Sequence, residues 1–140
     1  MRLTCAILAV AMSSTGCSVL APFLRSREPA VQWPTPEELA KLQPVASEVN
    51  GEINGEAALV AAAAIRETAR LWSGQGLFEG CPTPAAGLSA TVYAWKGHYY
   101  VSIAQRFERC GGKRFRMLDW WEAFAVSPEG QVLARQPYGF

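Results

Sequence analysis

The hydrophobic pattern of this chain changes period once, and that change limits the fold more than any other feature. Over residues 56 to 73, Ala58, Leu59, Ala62, Ile65, Ala69 and Trp72 recur at helical spacing, while Arg66, Glu67 and Arg70 fall opposite them. The expectation is an amphipathic helix with one buried face. Residues 61 to 64 are all alanine, which keeps the helix slim enough to lie close against a sheet, and Gly74 and Gly76 end it. Beyond Cys81 the period becomes two. Residues 88 to 95 and 99 to 107 are rich in β-branched and aromatic side chains, with Lys96-Gly97-His98 between them as a hairpin turn. On the second of these strands Tyr99, Val101, Ile103 and Phe107 share one face, and Tyr100, Ser102, Ala104, Arg106 and Glu108 take the other. A third strand over residues 113 to 126 puts Leu118, Trp120, Phe124 and Val126 on one side. Ser127-Pro128-Glu129-Gly130 then turns the chain into a fourth strand at residues 131 to 134, with proline fixing an early turn position and glycine supplying positive φ. The fold class expected over residues 55 to 140 is α+β, one long helix packed on a four-stranded antiparallel meander.

Upstream, residues 18 to 54 hold Pro22, Pro29, Pro34, Pro36 and Pro44, which remove backbone donors and rule out long regular elements. This stretch reads as a tether with one short helix at residues 36 to 43. Thr35 is its N-cap, Pro36 its first residue and Glu38 its capping-box acid; the helix either packs on the domain or is marginal alone. Before the tether, Met1-Arg2 is a basic start, residues 3 to 12 are apolar, and Ser13-Ser14-Thr15-Gly16-Cys17 is a small-residue cleavage region. That apolar stretch is too short for a spanning helix.

The run Ser14-Thr15-Gly16-Cys17 resembles the lipobox of bacterial lipoproteins. The resemblance implies a signal peptide at residues 1 to 16, cleavage before Cys17, and diacylglycerol with palmitate-type acylation on that cysteine. The mature chain would then be held to a membrane of the bacterial envelope, and Ser18 is compatible with passage to the outer membrane, facing periplasm or surface. Each buried methylene of such an anchor contributes ~0.8 kcal/mol. With Cys5 in the removed segment and Cys17 lipidated, Cys81 and Cys110 remain as an even pair in an oxidising compartment. They sit beside turn residues, in Gly80-Cys81-Pro82 and Cys110-Gly111-Gly112, so a disulfide would join two loop ends. Such a loop of about thirty residues is worth on the order of 3 to 4 kcal/mol in the chain-entropy picture.

Within the domain, the helix followed by Gly97-His98-Tyr99-Tyr100-Val101 and by Trp121-Glu122-Ala123-Phe124-Ala125-Val126-Ser127-Pro128-Glu129-Gly130-Gln131-Val132-Leu133 resembles cystatin-like and NTF2-like modules of small envelope proteins, including PepSY-type domains and immunity proteins. A resemblance of that kind implies a fold rather than a chemistry.

Charge and spacing narrow the function. The chain has 13 basic and 12 acidic residues, in balance once Arg2 is removed, which argues against a general nucleic-acid binder. His98 is the single histidine and sits beside a turn, where solvation is the expected state rather than service as a catalytic base. Cys81, Cys110 and His98 lack the paired spacing of a metal site. Gly74-Gln75-Gly76 and Cys110-Gly111-Gly112-Lys113 lack that of a phosphate loop. No cofactor, no metal and no catalytic residue are therefore expected. Glu108, Asp119 and Glu122 read as sheet-surface charges, the last two on opposite faces and so no acid and base pair.

Two features point to binding. Arg106, Arg109, Lys113, Arg114 and Arg116 form a basic hairpin opposed only by Glu108. It either meets anionic headgroups, lipopolysaccharide or an acidic partner, or is a solvated edge that charge protects from aggregation. Trp120-Trp121 sends one indole to each sheet face, one into the core. The other is either exposed in an aromatic patch with Tyr93, Trp95 or Tyr100, or covered by the N-terminal segment or the helix. The expected protein is a lipid-anchored binding or structural module that recognises a protein or envelope polymer through this sheet face, Trp121 and the basic hairpin. An immunity-type inhibitor of a toxin is the second expectation and a small envelope enzyme the third.

Overall fold

The computed structural model of the 140-residue chain describes residues 30–47, 52–111 and 120–137. The expected signal peptide, Cys17, Lys113, Arg114, Arg116, Leu118 and Asp119 lie outside the described residues. The chain divides into two compact units, Met1–Ala30 and Val31–Phe140, and all elements below belong to the second. In chain order they are α1 (Pro36–Leu39), α2 (Gly55–Leu71), β1 (Leu88–Trp95), β2 (His98–Gln105), β3 (Trp121–Val126) and β4 (Val132–Arg135). The strands form one antiparallel sheet in the order β1-β2-β3-β4, with α2 on one face. The protein is thus α+β, with one main helix and an open four-stranded meander.

Asn54 caps α2, its side-chain oxygen accepting from the Ala57 amide at 2.7 Å, a cap worth about 1 kcal/mol. The face that α2 buries differs from the expected one by about one residue. Ala57, Val60, Ala63, Ala64 and Thr68 point into the core, whereas Ala58 is exposed and Leu59 is 44 % exposed. From Ala57 to Ile65 nearly every residue is apolar, so the pattern has a period but almost no phase contrast. Thr68 tolerates burial because its hydroxyl donates to the Ala64 carbonyl at 2.9 Å. Leu59 instead lies over the β3–β4 turn, where a Cβ on Gly130 would stand 2.9 Å from its Cγ.

The β1–β2 hairpin turns on two residues, Lys96 (φ 43°) and Gly97 (φ 83°), both left-handed as a tight hairpin loop requires. His98 therefore belongs to β2 and pairs with Trp95. The register sends Val92, Val101, Ile103, Phe124 and Val126 to the helix side, where all are fully buried. Between Ala125 and Val126 the β3–β4 ladder shifts, so that Val126 pairs with Val132 and Ala125 with Ala134.

The strand expected to run through Phe107 ends at Gln105. After Arg106 donates its amide to the Gly87 carbonyl at 2.7 Å, residues Phe107–Cys110 coil into a single 3-10 turn. There the disulfide between Cys81 and Cys110 joins this turn to the segment before β1, beside Gly87. A Cβ at Gly87 would come within 2.8 Å of the Cys81 sulfur and 3.2 Å of the Cys110 sulfur, so only glycine fits there. Each bridged cysteine ends a Phe-Glu-X-Cys turn, Phe78-Glu79-Gly80-Cys81 and Phe107-Glu108-Arg109-Cys110. The two phenylalanines meet edge to face at 6.1 Å.

Of the stretch read as a tether, residues 33 to 42 pack on the face of the sheet away from α2, and Ala46 joins the helix-side core at the edge of β1. Trp33, Leu39 and Leu42 close over Trp95, Tyr100 and Ala123. The Thr35–Glu38 capping box is formed as expected, although α1 stops after four residues. Beyond it, Val92 of β1 accepts from the Val45 amide and donates to the Ala46 carbonyl, both at 2.8 Å. Part of the outer edge of β1 is thereby paired.

Candidate functional site

The outer sheet face is built of cross-strand rows set by the register. At the hairpin end stand Trp95 and His98, then Tyr93, Tyr100, Ala125 and Ala134. The next row holds Thr91, Ser102 and Ala123, and the last holds Ser89, Ala104 and Trp121. The first two rows are the aromatic ones, and these the Val31–Ala46 strap covers. Trp33 meets Tyr100 edge to face at 6.1 Å, and the Trp95 indole donates to the Gln32 carbonyl at 3.1 Å. Lys96 lies 4.8 Å from the Trp95 ring centroid and donates to the Gln32 side chain at 3.0 Å. Tyr100 is buried, and its hydroxyl bonds Gln136 at 3.2 Å. Burial, with the nearby Tyr93 adding to it, pushes its phenol up to about 12.

Beyond the strap the same face is chemically different. Ser89, Thr91, Ser102 and Ala104 there are small and half-buried and Trp121 is 39 % exposed, while Ala123 between them is buried under the strap. The adjacent indoles divide between the faces as expected: Trp120 is buried on the helix side, and Trp121 lies outside. Arg106 continues the line of Ala104 past the end of β2, and Arg109 is exposed on the following turn. Of the expected basic hairpin, these two residues are described. Glu108 is exposed on that turn, as expected of a surface charge.

Glu122 is a correction. Expected on the sheet surface, it is 1 % exposed beneath the end of α2. Its Oε1 accepts from the Trp72 indole at 2.8 Å and from Arg135 at 2.6 Å, and its Oε2 accepts from the Arg135 Nε at 2.7 Å. The position alternates with the outward Trp121 and Ala123, so strand geometry alone directs it inward, and Arg135 on the neighbouring strand supplies the compensating charge. Both oxygens are spent on fixed donors, which suits a structural bond rather than proton transfer. On the nearby surface of α2, the hydrogen bond from Arg70 holds the Glu67 carboxyl below its usual range, with the charges of Arg70 and Arg135 adding to the effect.

Two other places on the surface form recesses. His98 borders a shallow recess with Ala94, Trp95, Lys96, Gly97, Tyr99 and Pro128, a lining that contains no carboxylate to orient an imidazole. At the end of α2, an open groove of about 430 Å³ is lined chiefly by Ala69, Trp72, Leu77, Phe78 and Pro84. Behind it, Trp120 sits in an aromatic row between Trp72 (5.7 Å) and Phe107 (6.5 Å), its buried indole N–H unpartnered. Among the described residues no group of His, Cys, Asp or Glu is placed to hold a metal ion. No described helix is long and apolar enough to cross a membrane.

Gln32, Trp33, Trp72 and Arg135 were not singled out by sequence reasoning for the contacts they make. The repeated Phe-Glu-X-Cys turn was a readable signal for the clamp around the disulfide, since it places like residues at like distances from both cysteines. Comparisons with protein-family models, with curated proteins and with solved structures find no match to this chain.

Proposed function

We propose that this protein is a lipid-anchored module of the bacterial envelope, attached through acylated Cys17 after removal of residues 1 to 16. It recognises a protein or envelope polymer through the uncovered half of the outer sheet face and the basic hairpin beside it. The order of helix and meander supports placing the domain with the cystatin-like or NTF2-like modules. One observation carries the contact role: the chain covers the aromatic rows of this face with its own strap but leaves Trp121 39 % exposed among small side chains. An indole held on a rigid sheet offers a large contact area at little entropic cost. The buried carboxylate and the single histidine, each without a catalytic arrangement around it, favour binding over catalysis.

A photo-crosslinking residue in place of Trp121, in the full chain within intact envelopes, tests the contact. A defined adduct is expected that the same probe at exposed Glu37 does not give; identical products from both positions would sink the contact role. Mass spectrometry of the mature N-terminus tests the anchor. Acylated Cys17 is the expected result, and an unmodified terminus overturns it.

A further inference from the structure

We infer that the disulfide between Cys81 and Cys110 is a redox latch: a dithiol reductant opens it in the folded protein and frees the two Phe-Glu-X-Cys turns, uncovering Trp120. The position of the bond, the attachment of the turns and the ring they cover lead there.

The bond lies past the end of a hairpin that is closed without it. Strands β1 and β2 pair from Trp95 with His98 to Leu88 with Gln105, and the Arg106 amide donates to the Gly87 carbonyl one step further on. Along the unfolded chain the two cysteines are 29 positions apart. In the folded sheet, cutting their bond frees only residues 81 to 87 and 106 to 110, because the ladder holds everything between. Opening can therefore stay local.

Each turn is closed on itself by short-range bonds. The amides of Glu79, Cys81 and Arg109 donate to the carbonyls of Gly76, Phe78 and Arg106, each three residues back. The disulfide is the covalent link from turn to turn, and beside it Phe78 meets Phe107 edge to face at 6.1 Å. Both cysteines are half-buried and stand outside the two core clusters, the setting of disulfides that exchange with solvent thiols rather than of sealed ones.

What the turns cover gives the opening a direction. Phe107 packs against Trp120 with ring centroids 6.5 Å apart, and Trp120 is 8 % exposed with an indole N–H that has no acceptor. A donor buried in this way gives up its hydrogen bond to water and gains none in return. When the turns part, water reaches that N–H, so the open arrangement trades aromatic burial for a hydrogen bond. Phe78 also lines the groove at the end of α2, which widens as the latch opens. Two such arrangements, biased by one covalent bond, make a switch.

The step is thiol–disulfide exchange. A thiolate of the dithiol attacks one cysteine sulfur, the S–S bond breaks, and the other cysteine leaves as a thiolate that takes up a proton. The second thiol of the reductant then attacks the mixed disulfide and releases the first cysteine. Two electrons and two protons pass to the protein, and the dithiol becomes a disulfide.

The test is treatment of the purified full chain, its free thiols first blocked, with dithiothreitol in the absence of denaturant. Alkylation mapped by peptide and amide exchange read by mass spectrometry follow. Cys81 and Cys110 should both become alkylated, and exchange should rise about tenfold in residues 76 to 87 and 106 to 111 while α2 and the strands change by less than about twofold. C81S/C110S should show the same pattern without reductant. Acrylamide quenching of tryptophan emission should rise when the unmodified chain is reduced but not when W120F is reduced.

A bond that resists reduction until denaturant is added overturns the inference, as does reduction that leaves exchange unchanged or a quenching rise that W120F retains. Exchange that rises across α2 and the sheet, or a C81S/C110S chain that fails to fold, overturns it too, because the bond is then a staple of the whole domain.

Discussion

The helix face of the sheet and its outer face are each met by one stretch of chain, yet the two stretches close their sides differently. The 17-residue helix α2 seals its face and brings Trp72 down onto the buried Glu122–Arg135 pair, so polar atoms there are locked inside the core. The Val31–Ala46 strap covers the aromatic half of the other face through a few large side chains and leaves the Trp121 half uncovered. A regular element buries a continuous stripe because its period repeats. An irregular one with Pro34, Pro36 and Pro44 can bury only where individual side chains such as Trp33, Leu39 and Leu42 happen to land. The strap's partial cover of its face follows from that difference.

The contrast can be broken by substitution, and the largest effect belongs to the sealed side. E122A removes the acceptor shared by the Arg135 guanidinium and the Trp72 N–H; because the Arg135 side chain is 35 % exposed and can turn to water, the cost in urea unfolding should be about 2 to 3 kcal/mol. E122Q, which keeps an acceptor, should cost less. A loss well below that for E122A would mean that the helix face does not depend on its polar bond. On the strap side, W33A removes the ring packed on Tyr100 and should cost about 2 kcal/mol. The resulting rise in amide exchange should stay within the strap and the outer rows near Tyr93 and Tyr100; equal loosening of α2 would show that the two faces are one cooperative unit.

A smaller effect separates the faces by pH. Folded Tyr100 keeps its proton up to about 12, against an ordinary value of 10.0. Between those values the unfolded chain binds fewer protons than the native one, so stability falls as pH rises across that window. Y100F, at a cost of about 1 kcal/mol from the lost bond to Gln136, should show a shallower alkaline decline than the unmodified chain. Equal slopes in a pH series of unfolding midpoints would contradict the burial of that phenol. Least affected should be L59A, about 0.5 kcal/mol, because Leu59 lies outside the buried stripe. A loss as large as a core truncation would restore the helix phase expected from the sequence.

Where local physics decides, the sequence was readable. The switch from helical spacing to alternation marked α2 and the meander, Lys96-Gly97-His98 marked the hairpin though His98 proved to belong to β2, and Thr35 with Glu38 marked the cap. Cys81 and Cys110 paired as turn geometry and compartment suggested. Where the outcome depends on distant partners, it was not. Alternation turns Glu122 inward, but what lets a carboxylate stay there is Trp72, fifty positions away, and Arg135 on the neighbouring strand. The phase of α2 was hidden by its alanines. Docking of the strap depends on Trp33 finding Tyr100, which no proline count reveals. The two tryptophans show both cases side by side: alternation alone assigned them to opposite faces, but only the register placed Trp121 among small neighbours.

The strap also has a mechanical consequence. A pull on the chain at Val31 would reach the Gln32 contacts with Trp95 and Lys96 first, then Trp33, then Leu39 and Leu42, and last the two amide–carbonyl bonds that join Val45 and Ala46 to Val92. These attachments are loaded one after another, as in peeling tape, rather than all together as in shearing a sheet. The strap can therefore lengthen in steps under modest force and let go of the aromatic rows while α2, the four strands and the disulfide stay unstretched.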